Sequence, residues 1–226
     1  MPTILSIETA TKTCSIALHR EAELVGSSEL HLANSHSEVL AIQIENLLKS
    51  TKYTIADLDA IAVSKGPGSY TGLRIGVSTA KGLAYAQDLP IIGIDTLSAM
   101  AYQLKGHFPT SLLVPMLDAR RMEVYTQLVT HDLKEIKATH PLILEATSFD
   151  AFKEPLIFFG NGASKCKDLF SKQSRIQFID DITPSAKTVG ELAYQKFSNK
   201  EFEDIVTFEP FYLKEFYTPK AKNKLK

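Results

Sequence analysis

The sequence has little that would suit an oxidising compartment or a membrane. Only two of its 226 residues are cysteines, Cys14 and Cys166. Two cannot build a disulfide framework, so a reducing, cytoplasmic setting is expected. No apolar run approaches the ~18 residues of a bilayer span, so no membrane contact is expected. Met1-Pro2-Thr3 leads straight into a strand pattern, without the basic segment and apolar stretch of a signal peptide. An excess of one charge is also missing: 25 Lys and Arg face 26 Asp and Glu, a net of −1. That balance argues against a protein whose main task is neutralising a long nucleic-acid backbone. What remains is ordinary globular composition, 44% hydrophobic and 23% charged, enough for one large domain or two small ones.

The pattern of apolar residues predicts two halves with one plan. Short strands are expected near residues 4–7, 14–18 and 24–30, the second alternating Cys14, Ile16 and Leu18 with polar or small neighbours. Their joins are too short for parallel crossovers, so they form an antiparallel meander. Ser35-His36-Ser37-Glu38 has capping-box spacing before a helix with Leu40, Ile44, Leu47 and Leu48 on one face. A strand at 60–63, a Gly-rich loop, a helix to about 86, a strand at 90–94 and a helix capped by Thr96 follow. The second half repeats this order, with strands at 112–117, 122–129 and 135–144, then 155–159, a Gly160-Asn161-Gly162 turn and a short helix. A strand at 176–179 and a helix over 184–197 complete it. Three antiparallel strands followed by β-α units describe a mixed sheet of the ribonuclease-H-like kind. Two such lobes in tandem, 1–104 and 105–226 with the C-terminal helix, describe an α/β actin-like (ASKHA) fold.

The stretch Ser64-Lys65-Gly66-Pro67-Gly68-Ser69-Tyr70-Thr71-Gly72-Leu73-Arg74-Ile75-Gly76-Val77 holds the most information. Its glycines permit close backbone approach, and free N–H groups opening a helix after Thr71 would suit an anion. The helix carries Gly72, Gly76, Ala80 and Ala84 at successive i+4 positions. This ridge of small residues could pack on its own sheet or admit another helix; the pattern leaves both open.

At these residues the chain closely resembles the TsaB (YeaZ) family. The matching pieces are Ile7-Glu8-Thr9-Ala10, His36-Ser37-Glu38, the run Gly66–Tyr85, Pro115 with Leu117-Asp118-Ala119-Arg120, Glu123-Val124-Tyr125, and Pro210 with Tyr212-Leu213-Lys214. The last has Lys where the family has Arg. The resemblance implies an actin-like fold and a part in making N6-threonylcarbamoyladenosine at position 37 of tRNAs reading ANN codons. It implies a non-catalytic subunit that pairs with a catalytic paralogue, TsaD, joined by an ATPase, TsaE, with homodimers also formed. tRNA would be met mainly through the complex. The family pairs through the two helices opening near His36 and Gly72. Its interface candidates are therefore His36, Val39, Leu40, Gln43, Ile44, Leu73, Arg74, Gly76, Val77, Ala80, Leu83 and Ala84, and the small-residue ridge would be the seam. Some of the apolar members must instead face the home sheet.

Catalytic constellations are absent from the sequence pattern. No two histidines have the i,i+4 spacing of a helical zinc pair, and Walker A is missing. Glu8 stands where actin-like ATPases place an Asp, but no glycine follows in Thr9-Ala10-Thr11-Lys12-Thr13. Ser69 lacks a nucleophile-elbow context. Glu8, Gly66, Gly68, Ser69, Thr71, Gly72, Gly160 and Gly162 are the candidates for an anion or nucleotide. No cofactor is expected for the chain alone, with ATP, ADP or a metal possible at a partner interface. The rival reading is a dinucleotide-binding enzyme using the Gly66–Gly72 loop with Asp95 on the ribose, against which the glycine spacing is one residue too long. Residues 213–226 carry five Lys against one Glu, so the remaining 212 residues carry a net −5. The basic tail is thus a candidate contact for tRNA.

Overall fold

A computed structural model of the chain describes residues 1–31 and 36–214. The expected capping Ser35 and the tail beyond Lys214 lie outside the described residues. The first lobe opens with β1 (Thr3–Glu8), β2 (Cys14–Arg20) and β3 (Glu23–Leu30), followed by α1 (His36–Thr51), β4 (Ala60–Gly66), α2 (Tyr70–Gln87), β5 (Ile91–Asp95) and α3 (Thr96–Tyr102). The second repeats the plan with β6 (Leu112–Asp118), β7 (Glu123–Thr130), β8 (Glu135–Ile143), β9 (Leu156–Phe159), α4 (Lys167–Phe170), β10 (Ile176–Ile179) and α5 (Ala186–Ser198). The sheets run β3-β2-β1-β4-β5 and β8-β7-β6-β9-β10, the same order twice. In each, the first three strands are antiparallel and the last two join in parallel. This is the actin-like arrangement, with mixed sheets in both lobes.

β1 is buried along its whole length because both of its faces are covered. Leu5 and Ile7 point to one side, where Leu40, Ile44, Val77 and Ala80 bring α1 and α2 onto the sheet. Ile4 points to the other, into a layer with Ala60, Ile92, Val189 and Ala193. Val189 and Ala193 belong to α5, so this layer includes residues from beyond the 104/105 division. α5 returns to cover the first sheet, and its first N–H (Ala186) donates to Ser15 Oγ at 2.9 Å. Conversely Leu97, Met100 and Ala101 of α3 pack on Leu113, Leu117, Ile157 and Phe159 of the second sheet. Each sheet is therefore covered partly by a helix supplied by the other half.

Helix α3 starts one residue earlier than expected. Its cap is Asp95, whose side chain accepts from Ser98 N at 2.8 Å, while Thr96 is its first, buried residue. A carboxylate accepts from the helix N-terminus without the rotamer restriction of a β-branched threonine. After α5 the chain straps back across both lobes. Glu203 pairs with Ile91 at the sheet edge. Lys81 Nζ donates to the carbonyls of Val206 and Phe208 at 3.2 and 3.0 Å, and Phe211 N donates to Lys65 O at 2.6 Å.

Candidate functional site

Two of the sequence motifs meet in space. The loop after β1 lies against the start of α2: Ser69 N donates to Ala10 O at 2.7 Å, and Thr9 Oγ1 donates to Gly72 O at 2.8 Å. The contact is too close for side chains. A Cβ on Gly68 would come within 2.5 Å of Ala10 O, one on Gly72 within 2.1 Å of Thr9 O, and one on Gly76 within 2.3 Å of Thr9 Oγ1. Gly66, at φ 116° before a cis Pro67, faces Phe211 O of the strap. The helix opening is engaged as well, Ser69 Oγ accepting from Gly72 N at 3.3 Å and Ser69 O from Leu73 N at 2.8 Å. Thr71 is exposed on the first turn. These glycines thus serve close internal packing.

Glu8 is fully buried in this arrangement. Its Oε1 accepts from Ala10 N at 2.5 Å, while Oε2 has no hydrogen-bond partner among the described residues. Burial pushes its carboxyl up to about 7, the Ala10 N–H and Ser64 hydroxyl pulling the other way. A fully buried, hard-to-ionise carboxyl is a poor metal or phosphate partner from this position. Asp95, the ribose candidate of the rival reading, is likewise occupied: Ser98 N and the Thr139 hydroxyl donate to its two oxygens. Among the described residues no cluster of three or more His, Cys, Asp or Glu could hold a metal.

The second-lobe motifs converge at the same end of the molecule. Gly160, at φ 94°, and Gly162 press on the end of β6, where a Cβ on Gly160 would come within 2.4 Å of Met116 O. Asn161 Oδ1, between them, accepts from Asp118 N at 2.9 Å. The Gly160–Gly162 turn therefore supports the β6–β7 connection. Lys165, a residue without a motif, donates its ammonium to Asp118 Oδ1 at 2.5 Å, Arg121 O at 2.8 Å and Glu123 O at 2.5 Å. The strap supplies the rest: Tyr212 stacks on Tyr70 with ring centroids 4.7 Å apart, Arg74 lies 4.6 Å over the Tyr70 ring, and Lys214 pairs with Glu123. Lys165 was beyond sequence reading because its acceptors lie more than 40 residues away; its single local hint was a charge beside a Gly-containing turn.

The interface candidates divide by exposure. Leu40, Ile44, Leu73, Gly76, Val77, Ala80 and Ala84 are buried in the chain's own lobe. The ridge itself packs against the Thr9–Ala10 loop and the sheet of its own lobe. His36 and Gln43 are also buried, Gln43 Nε2 donating to Ser28 Oγ at 3.0 Å. Val39 and Leu83 are half-buried, and Arg74 is exposed. The faces that α1 and α2 turn to solvent carry other residues: Ile42 at 57% exposure, Tyr85 at 82%, and Gly82, above which none of the described residues lies within 4 Å.

Comparisons with known proteins agree with the fold. A family profile described as TsaD, tRNA N6-adenosine threonylcarbamoyltransferase, matches residues 30–223. The chain is 34% identical to the tRNA threonylcarbamoyladenosine biosynthesis protein TsaB of Bacillus subtilis, over 94% of each chain. The structure of YeaZ from Pseudomonas aeruginosa superposes with a TM-score of 0.79 at 22% identity, covering 94% of this chain and 100% of that one. A more distant likeness of fold alone, at TM-score 0.50 and 9% identity, joins it to the activator of the 2-hydroxyisocaproyl-CoA dehydratase from Clostridium difficile, covering 89% of this chain and 98% of that one.

Proposed function

The chain belongs to the TsaB (YeaZ) family, whose members share in tRNA threonylcarbamoyladenosine biosynthesis, and from that premise we propose that it is a non-catalytic subunit docking a TsaD-type transferase through the solvent faces of α1 and α2. The observation that carries the docking surface is Gly82. An exposed helical glycine costs about 1 kcal/mol against alanine, and no contact among the described residues requires it. With the exposed Tyr85 three residues further along the same helix and Ile42 exposed on α1, it suits a helix of another subunit approaching closely. The same face serves a homodimer when the transferase is absent, and a TsaE-type ATPase joins the assembled pair. Catalysis, and any ATP, ADP or metal, belongs to the partner or its contact, in the cytoplasm, and tRNA arrives through the complex.

The test replaces Gly82 by Leu and Ile42 by Glu. Neither change meets the core, so the monomer keeps its melting temperature. Binding to the TsaD-type subunit weakens by roughly tenfold or more, as for loss of an interface anchor, and modification of tRNA by the reconstituted system falls with it. Undiminished pairing and modification by both variants would sink the reading.

A further inference from the structure

We propose that the turn between β6 and β7 is where this chain itself grips the phosphate backbone of RNA, an inference that rests on the tRNA reading above. The turn presents Arg120 and Arg121, both exposed and both left-handed, at φ 71° and 50°. Glycine or asparagine adopts that conformation at much lower cost. Strained side chains persist where surrounding structure over-determines them, and they cluster at ligand clamps. The surroundings do so here. Lys165 spends its ammonium on Asp118, Arg121 O and Glu123 O, while Asp118 Oδ1 also accepts from Arg120 N at 2.7 Å.

The two guanidinium groups, by contrast, make no hydrogen bond or ion pair among the described residues. The carboxylates nearby are already matched, Asp118 by Lys165 and Glu123 by Lys214. Two exposed arginines on a backbone held by the turn present planar forks suited to phosphate oxygens. A further cation lies next to them in space: Lys214, seated on Glu123 of this hairpin. Through Tyr212 and Tyr70 the same surface runs on to Arg74 of α2, beside the face proposed for docking. On a chain whose first 212 residues are otherwise net acidic, this concentration fits a polyanion that reaches both subunits at once.

The test is the double variant R120N/R121G in the reconstituted complex with the TsaD-type subunit, assayed with unmodified tRNA transcript. Asn and Gly ease the backbone, so the melting temperature stays the same or rises and pairing of the subunits is unchanged. Affinity for the transcript falls by about tenfold at ~100 mM salt, and the slope of log K against log salt becomes shallower by about 1 to 2, as for two lost phosphate contacts. Unchanged affinity and slope would overturn the proposal. So would lost pairing with the transferase, which would make the arginines a contact for an acidic protein surface. If instead the wild-type chain proves dispensable for tRNA modification, the functional reading falls, and this inference with it.

Discussion

The hydroxyl of Thr9 donates to the carbonyl oxygen of Gly72 across 2.8 Å, clamping the loop after the first strand onto the second helix. The clamp leaves no volume for a Cβ, which on Gly72 would stand 2.1 Å from the backbone oxygen of Thr9. Gly72→Ala should therefore destabilise the fold by about 3 kcal/mol, the upper end for overpacking, because a backbone atom has to move. The urea midpoint reports it, and a wild-type midpoint would show that the loop yields freely.

Glu8 makes stability depend on pH in a direction opposite to most carboxylates. Its folded pKa of about 7 lies above the ordinary 4.5, so the native state holds a proton that the unfolded chain releases. The contribution is complete below about 4.5 and is lost as pH rises to about 7. The loss amounts to about 3 kcal/mol. Glu8→Gln should flatten the fall across this window in denaturation curves.

His19 acts the other way. Both of its ring nitrogens are buried without partners among the described residues, and burial lowers its pKa below the ordinary 6.5. The unfolded chain therefore takes up a proton before the native state does, and stability falls as pH drops through 6.5. His19→Leu should remove that acid-side loss. The slopes of Glu8 and His19 oppose each other in one window, so each single variant should unmask the other residue's slope. A wild-type profile retained in both would contradict the two assignments.

Lys165→Met should loosen the β6–β7 turn. It leaves the carbonyls of Arg121 and Glu123 and the Asp118 carboxylate without their shared donor. A loss of about 1 to 2 kcal/mol is expected for a partly exposed charged cluster. Trypsin cleavage after Arg120 or Arg121 should accelerate, measured on the intact chain.

Local patterns made much of this structure legible. The period-two alternation of Cys14, Ile16 and Leu18 marks a strand, and the repeated element order marks twin lobes, because these are short-range consequences of burial. What a helix packs against is a longer-range matter. Ala186, Val189 and Ala193 declare that α5 is buried but are indifferent to which sheet buries them. The ridge of Gly72, Gly76 and Ala80 shows the same ambiguity. Small residues record that something comes close, and here it is Thr9, more than 60 residues away. The motifs did identify one end of the molecule, but the brace that organises it, Lys165, has long-range acceptors that no local pattern marks.

The exchange of α3 and α5 between the halves has a consequence for synthesis. While the ribosome is still making the second lobe, the first sheet has β1 to β5 and α1 to α3 in hand but lacks the helix that seals Ile4, Ala62 and Ile92 from water. The nascent first half waits with an apolar flank bare until α5 emerges, and it cannot mature as a free-standing unit in the way that tandem domains do. Separately expressed halves should accordingly associate or aggregate, and folding of the first lobe should be completed by α5.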